Sequence, residues 1–153
     1  MNRQLAYIQN YTEGSKYQNH KDFSTKDIAR LVRQEVRKTY PAKMGYKISV
    51  QYDSFANWSS IDIRVKGVPF QLYNKEYAVL AMAGRWEEIQ DKRLGEYTQE
   101  GERFIKTLEK IAGQYNYSDC DGMIDYFDVN YWSSVVIDWE AREMLMDKSV
   151  EVF

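Results

Sequence analysis

Two runs of alternating apolar and polar residues predict a β-hairpin: Tyr46-Lys-Ile-Ser-Val-Gln-Tyr52 and Ser60-Ile-Asp-Ile-Arg-Val-Lys66. Successive side chains of a strand point to opposite faces, so each run places its apolar residues on one face. The segment between the runs, 53–58, has the composition of a turn, and Gly67-Val-Pro69 ends the second strand. We therefore predict an antiparallel pair of strands here.

A long amphipathic helix is predicted on each side of this hairpin. The first begins with Ser24-Thr-Lys-Asp27, which resembles a capping box, and ends before Pro41. The second extends from about Thr98 to Tyr115. Their apolar residues recur at helical spacing: Ile28, Leu31, Val32 and Val36 in the first helix, and Phe104, Leu108, Ile111 and Tyr115 in the second.

The remaining segments give weaker patterns. Asn74 can cap a short helix that ends near Gly84, and residues 116–122 are polar enough for a loop. Residues 124–132 and 135–139 are typical of strand, with a break at Ser133-Ser134. We predict one α+β domain over residues 1–153, in which an antiparallel sheet of about three to five strands packs against two longer helices. Residues 1–23 form an irregular arm or an edge strand, 24–139 form the core, and 140–153 form a tail that is a helical turn or loose.

Composition favours a cytoplasmic protein. No secretory signal or apolar run long enough for a membrane is present, and the lone Cys120 is compatible with a reducing compartment. The charge is uneven: residues 1–48 carry ten Lys and Arg against four Asp and Glu, whereas residues 86–153 carry seven against sixteen. Such asymmetry predicts separate electrostatic faces.

Motifs for catalysis are absent from the sequence. It contains no Gly-rich phosphate loop and no nucleophile elbow, and one Cys and one His exclude a Cys/His zinc site within the chain. The aspartates of residues 119–128 lack the ligand spacing of a calcium loop. We therefore predict a binding protein rather than an enzyme, with no metal site and no cofactor.

An acidic aromatic segment is the leading candidate for a binding surface. Between Ile111 and Ala141 the chain has six acidic residues and no Lys or Arg, interspersed with Tyr, Phe and Trp. Such a surface suits a basic groove on another protein, because rings anchor the contact and carboxylates steer the approach. Strand alternation sends Phe127, Val129 and Tyr131 inward. The predicted partner-binding residues are Asp119, Asp121, Asp125, Tyr126, Asp128, Asn130 and Trp132.

The exposed face of the first long helix supports an alternative. Lys26, Arg30, Arg33 and Arg37 recur along it and can meet phosphates, which predicts an accessory module that binds nucleic acid. Exposed helix faces also carry charges for solubility, and the sequence pI of about 5.5 weakens this interpretation.

Four segments resemble a known family. The helix Thr25–Pro41, the strands Tyr46-Lys-Ile-Ser-Val50 and Ser59-Ser-Ile-Asp-Ile-Arg-Val65, and the later segment Asp121-Gly-Met-Ile-Asp-Tyr-Phe-Asp-Val-Asn-Tyr131 are similar to the large polyvalent protein-associated domain numbered twenty-nine. The resemblance implies a small α+β domain carried by phages and other mobile elements. It carries over no catalytic residue. A domain of that type is expected to inhibit a host defence nuclease, as an anti-CRISPR protein does, and a phage-encoded chain would act in the host cytoplasm. The oligomeric state stays open.

Overall fold

The computed structural model describes residues 11–121 and 126–151 and has the predicted α+β architecture. In chain order the elements are β1 (Tyr11–Glu13), α1 (Tyr17–His20), α2 (Thr25–Thr39), β2 (Lys47–Phe55), β3 (Trp58–Gly67), α3 (Lys75–Met82), α4 (Trp86–Lys92), α5 (Gln99–Gly113), β4 (Tyr117–Asp121), β5 (Tyr126–Val129), β6 (Trp132–Ile137) and α6 (Trp139–Glu151). A single 3-10 turn, Ala42–Met44, joins α2 to β2.

The strands divide between two sheets rather than one. Sheet A has the order β1-β4-β5 and is antiparallel throughout. Sheet B has the order β2-β3-β6, in which β3 pairs with β2 antiparallel and with β6 parallel. The parallel pair was not predicted, because β3 and β6 are far apart in the chain. Only Asn130 and Tyr131 separate β5 from β6, so the chain passes directly from sheet A to sheet B.

The predicted hairpin and both long helices are confirmed. The hairpin turn is shorter than expected, since only Ala56 and Asn57 lie between β2 and β3. The Oγ of Ser24 accepts a hydrogen bond from the backbone N–H of Asp27 at 3.1 Å, which caps α2 as the sequence indicated. Thr98 caps α5 in the same way, by accepting from the N–H of Gly101 at 3.0 Å.

One face of sheet B forms the centre of the core. Ile61, Ile63 and Val65 of β3 are fully buried on this inner face. The helices α2, α5 and α6 all contact the sheet and bury their own apolar stripes, which include Ile28, Val32, Val36, Leu108, Ile111 and Leu145. Burying each such side chain stabilises the fold by about 1.5–3 kcal/mol. The opposite, outer face of the sheet does not carry these buried apolar residues.

The C-terminal segment is not loose. It forms the helix α6, whose Ala141, Leu145 and Met146 are buried. The hydroxyl of Ser149, also buried, donates to the carbonyl of Leu145 at 2.8 Å and accepts from the N–H of Tyr73 at 3.2 Å. The helical alternative for this segment agrees with the structure, but the helix is longer than one turn and is part of the core, which corrects its assignment to a tail.

Two further segments differ from the prediction. Residues 117–121, assigned to a polar loop, form β4, the central strand of sheet A. The predicted break at Ser133-Ser134 lies instead at Asn130–Tyr131, and both serines belong to β6. The N-terminal arm contributes β1 to the edge of sheet A, in agreement with one of the two predicted alternatives.

Gly101 permits α5 to begin against the chain segment that follows β3. A Cβ at this position would lie 2.6 Å from the backbone oxygen of Leu72, whereas a Cβ at Gly113 of the same helix would have no neighbour within 4 Å. Gly→Ala within a helix ordinarily stabilises by up to about 1 kcal/mol, but a forced shift of packed backbone costs about 1–3 kcal/mol. We expect Gly101→Ala to lower the urea unfolding midpoint and Gly113→Ala to leave it unchanged or slightly raised. Equal midpoints for the two variants would contradict this account of Gly101.

Candidate partner-binding site

The predicted acidic surface is only partly at the surface. Asp119 is 4% exposed, so it presents no carboxylate to a partner, which corrects its assignment. The physical reason is its place in the central strand β4, where the side chains of its cross-strand partners, Tyr11 of β1 and Asp128 of β5, flank it on the same face. Asp128, its cross-strand partner, is half-buried and accepts a hydrogen bond from the hydroxyl of Tyr117 at 2.9 Å.

Three of the predicted residues lie outside the described part. Asp125 falls in the undescribed segment 122–125, and the side chains of Asp121 and Tyr126 are also outside the description. Asn130 is half-buried and Trp132 is 46% exposed. Of the three residues predicted to face inward, Tyr131 is buried, Val129 is half-buried, and the side chain of Phe127 lies outside the description.

A buried corner positions Trp132. The amide side chain of Asn116 donates to the carbonyl of Tyr131 at 2.7 Å and accepts from the N–H of Tyr131 at 3.2 Å. The Tyr131 hydroxyl donates to the carbonyl of Ala112 at the end of α5. Burial raises the pKa of Tyr131 well above its ordinary value. These bonds fix the chain where it passes between the sheets, and the next residue is Trp132.

The strand register places Trp132 on the outer face of sheet B. Asp53, Ser60 and Trp132 lie side by side across the three strands, and Phe55 pairs with Trp58 one step further along. Directly opposed side chains share a face, and alternation places all five opposite the buried residues of β3. The outer face therefore has an aromatic end, by which we mean Phe55, Trp58 and Trp132.

The three rings of the aromatic end are exposed. The exposed fractions are 57% for Phe55, 48% for Trp58 and 46% for Trp132. The rings of Phe55 and Trp58 stack with centroids 5.0 Å apart. Beside them lies a cleft of about 260 Å³, whose described lining is uncharged and includes Asn57, Trp58, Asn130 and Trp132. Exposed rings next to a cleft with amide groups provide both an anchor and hydrogen-bonding capacity.

Two carboxylates, Asp53 and Asp62, lie on the outer face of sheet B next to the aromatic end. Asp53 is exposed next to Ser60 and Trp132. In the next row, Asp62 accepts hydrogen bonds from the hydroxyls of Ser134 at 2.6 Å and Ser60 at 3.4 Å.

One cation on this face, Arg64, is already engaged, whereas Lys66 at the far end of β3 is exposed. Arg64 donates to the side-chain oxygen of Gln51 at 2.9 Å and lies 3.7 Å from a carboxylate oxygen of Asp138. The end of the face that carries the rings is therefore acidic.

The basic residues of α2 are not all free to bind phosphate. Arg30 pairs with Asp27 at 3.0 Å, and the guanidinium of Arg33 donates to the backbone carbonyl of Val50, also at 3.0 Å. Lys26 and Arg37 are exposed. Two of the four predicted phosphate-binding cations are thus used within the fold, which reduces the charge available to nucleic acid.

The described ion pairs do not neutralise one end of the chain with the other. They join Lys16 to Glu35, Arg30 to Asp27, Arg64 to Asp138, Arg85 to Glu88, Lys92 to Glu76 and Arg142 to Glu96. In the described ranges, none of these pairs connects a cation of residues 1–48 with a carboxylate of residues 86–153. Among the residues that the structure describes, the excess positive and negative charges of the two ends are therefore not cancelled by ion pairs between those ends.

Comparison with known proteins adds no family to this description. No protein-family model, curated protein or solved structure matches the chain. The candidate site therefore depends on the geometry of the chain alone. None of the described helices has the length and apolar character needed to cross a membrane.

A second exposed apolar area lies on the helical side of the molecule. Trp86 is 50% exposed and Trp139 is 79% exposed, and both line a cleft of about 290 Å³ together with Met82. The guanidinium of Arg142 lies 5.9 Å from the ring centre of Trp139 and also pairs with Glu96. This area supplies two tryptophans that serve as internal comparisons for those of the aromatic end.

Sequence reasoning identified Trp132 and Asn130 but missed Phe55, Trp58, Asp53 and Asp62. A signal for Trp58 and Asp62 was present, because in β3 they alternate with the buried Ile61 and Ile63. Phe55 and Trp58 were instead assigned to the turn, since the two-residue turn Ala56-Asn57 lacks the usual glycine.

Proposed function

We propose that this chain is a non-catalytic binding protein that contacts a basic protein through the outer face of sheet B. The observation that carries the proposal is the placement of three exposed rings, Phe55, Trp58 and Trp132, at one end of a mainly polar face that also carries the exposed Val136. Tryptophan is enriched among the residues that contribute most binding energy at interfaces. Exposing these rings costs solvation free energy unless a partner covers them.

Charge determines the kind of partner. Asp53 is exposed in the row that contains Trp132, Asp62 follows in the next row, and Arg64 is held by Gln51 and Asp138. Lys and Arg side chains on a partner would meet these carboxylates while apolar groups cover the rings. Opposite charges around an apolar centre raise association rates and disfavour acidic competitors.

We further propose that the partner is a nuclease or effector of a host defence system, which the chain inhibits. The support is the resemblance of residues 25–65 and 121–131 to a domain of phages and mobile elements, together with the acidic aromatic face. Nucleases that bind nucleic acid present basic grooves, and an acidic surface can occupy such a groove in place of a phosphate backbone.

The experiment is capture followed by an inhibition assay. The immobilised chain is incubated with lysate from cells that express a CRISPR nuclease, and bound proteins are identified by mass spectrometry. We expect a basic nuclease subunit to be recovered, and the purified chain to inhibit its DNA cleavage at stoichiometric concentration. Charge reversal by Asp53→Lys together with Asp62→Asn should weaken both effects, since the amide introduced at position 62 can still accept from Ser134.

A matched control variant distinguishes binding through the outer face of sheet B from a general effect of negative charge. Glu109→Lys reverses an exposed carboxylate on α5, outside sheet B, and should change neither capture nor inhibition. Recovery that is equally reduced by Glu109→Lys would show a non-specific charge effect. Capture without inhibition of cleavage would contradict the proposed inhibitory role. Capture that the sheet B variants do not weaken would contradict the proposal that this surface binds the partner.

A further inference from the structure

The strand β2 lies at an edge of sheet B. The sheet order β2-β3-β6 leaves one side of β2 without a neighbouring strand in the described part of the chain. The strand is nine residues long, Lys47–Phe55, and pairs with β3 along that length. A long edge presents backbone donors and acceptors to any extended chain that approaches it.

One contact identifies which backbone groups face outward. The guanidinium of Arg33 donates to the carbonyl oxygen of Val50 at 3.0 Å, from the side occupied by α2. In an antiparallel pair the N–H and C=O of one residue point to the same side, and every second residue does so. The amides and carbonyls of Val50, Tyr52 and Ser54 are therefore directed to the free edge, while those of Gln51 and Asp53 face β3.

A groove runs between this edge and α2. It has a volume of about 490 Å³ and is lined by Lys26, Ala29 and Arg33 from the helix and by residues 50–53 from the strand. Lys26 and Arg33 are two turns apart on one side of the helix, and Ala29 between them leaves space. Asp53 supplies one carboxylate against these two cations, and alternation turns its side chain toward the outer face.

We infer that this groove accepts an extended acidic segment of a partner protein, which adds to sheet B as a strand alongside β2. The backbone of the segment would pair with Val50, Tyr52 and Ser54, and its carboxylates would meet Lys26 and Arg33. Arg33 would exchange its bond to the Val50 carbonyl for a bond to a carboxylate. That exchange leaves the carbonyl to an incoming N–H, so no buried group loses its partner.

The edge favours a peptide over nucleic acid. An edge strand offers both N–H donors and C=O acceptors at a repeat of two residues, and only another strand matches both. A DNA backbone supplies acceptors for the cations but no donors for the carbonyls, and the 2′-hydroxyls of RNA do not match the two-residue repeat of a strand edge. The groove shares Asp53 with the outer face of sheet B but contains none of the three rings of the aromatic end, which is proposed to meet a basic partner. Variants of the rings and of Lys26 therefore test the two proposals separately.

The test first selects peptides that bind the chain and then determines where they bind. Random short peptides displayed on phage are selected on the immobilised full chain, and enriched sequences are synthesised for binding by fluorescence polarisation. We expect acidic sequences with alternating β-branched residues. Lys26→Glu should weaken their binding by about tenfold or more, whereas Lys38→Glu, on a different side of α2, should have little effect. Amide exchange at Tyr52 should slow when peptide is bound.

Each other outcome overturns the inference. Enriched peptides without acidic bias, binding unchanged by Lys26→Glu, or unchanged exchange at Tyr52 would exclude strand addition here, as would a selection that enriches nothing. Competition by single-stranded DNA as strong as that of unlabelled peptide would assign the cations to phosphate binding instead. Lys26 is exposed, so its replacement should preserve the unfolding midpoint. Trp132→Ala should leave peptide binding intact, which distinguishes this site from the aromatic end.

Discussion

Replacing Trp58 and Trp132 together with Ala is expected to weaken binding of the basic partner by at least about a hundredfold. Each ring is roughly half-exposed in the free chain, so each has apolar surface left for a partner to cover. Truncation of a central interface tryptophan commonly costs about 2 kcal/mol or more, and every 1.4 kcal/mol is about tenfold in affinity. The measurement is isothermal titration of the captured partner with each variant.

The matched control for that measurement is the other exposed pair. Trp86→Ala together with Trp139→Ala removes the same number of rings from the helical side of the molecule, and should leave the affinity within about twofold. If this second double variant lost the binding and the first did not, the partner would be assigned to the area between α3, α4 and α6. Unfolding midpoints measured in parallel show whether either variant loses affinity by losing structure.

Tyr131→Ala is expected to be the most destabilising single change considered for this chain. The side chain is 1% exposed, and removing a buried aromatic ring costs about 3–5 kcal/mol. For a domain of this size that corresponds to a fall in melting temperature of about 10 °C. Tyr131→Phe should cost only about 1–2 kcal/mol, because it removes the hydroxyl that donates to the Ala112 carbonyl and keeps the ring. Calorimetry of the two variants measures both differences, and a Phe variant as unstable as the Ala variant would contradict the packing role.

The same tyrosine predicts how stability depends on pH. Burial raises the pKa of Tyr131, and it raises that of Tyr73 to about 12 from an ordinary value of 10.0. The folded chain then holds these protons more tightly than the unfolded chain. The stabilisation is complete below pH 10 and is lost as the pH rises toward the folded-state values. In Tyr131→Phe the loss between neutral pH and pH 11 should be smaller than in the parent chain.

Local patterns were sufficient for much of the fold. The helix α2 carries a capping serine and a continuous apolar stripe, and the hairpin alternates strictly, so both follow from residues close in sequence. The strand β4 was not predicted because the segment Tyr117-Ser-Asp-Cys-Asp121 is mostly polar. Its strand conformation depends on pairing with β1 and β5. The parallel contact of β6 with β3 joins residues about seventy positions apart, which no local period encodes.

The sequence predicted the candidate site only in part, as it did the fold. Trp132 was found because the late strands combine aromatic residues with an absence of Lys and Arg. Asp119 was placed at the surface although it is buried, since a carboxylate in a central strand is rare and composition favours exposure. Phe55 and Trp58 join the site only through the pairing of β2 with β3 and of β3 with β6. Charge and composition are the basis on which a basic partner is proposed, and the strand register places the residues of the candidate site on one face.

The four tryptophan indoles allow the most direct test of the proposed binding face. Trp58 and Trp132 belong to the aromatic end, while Trp86 and Trp139 lie on the helical side, and all four are exposed. Isotope-labelled chain gives one side-chain N–H resonance for each, assigned by single Trp→Phe variants. On titration with the basic partner, we predict that the resonances of Trp58 and Trp132 shift or broaden while those of Trp86 and Trp139 stay in place. Shifts confined to Trp86 and Trp139 would contradict the assignment of sheet B as the recognition surface.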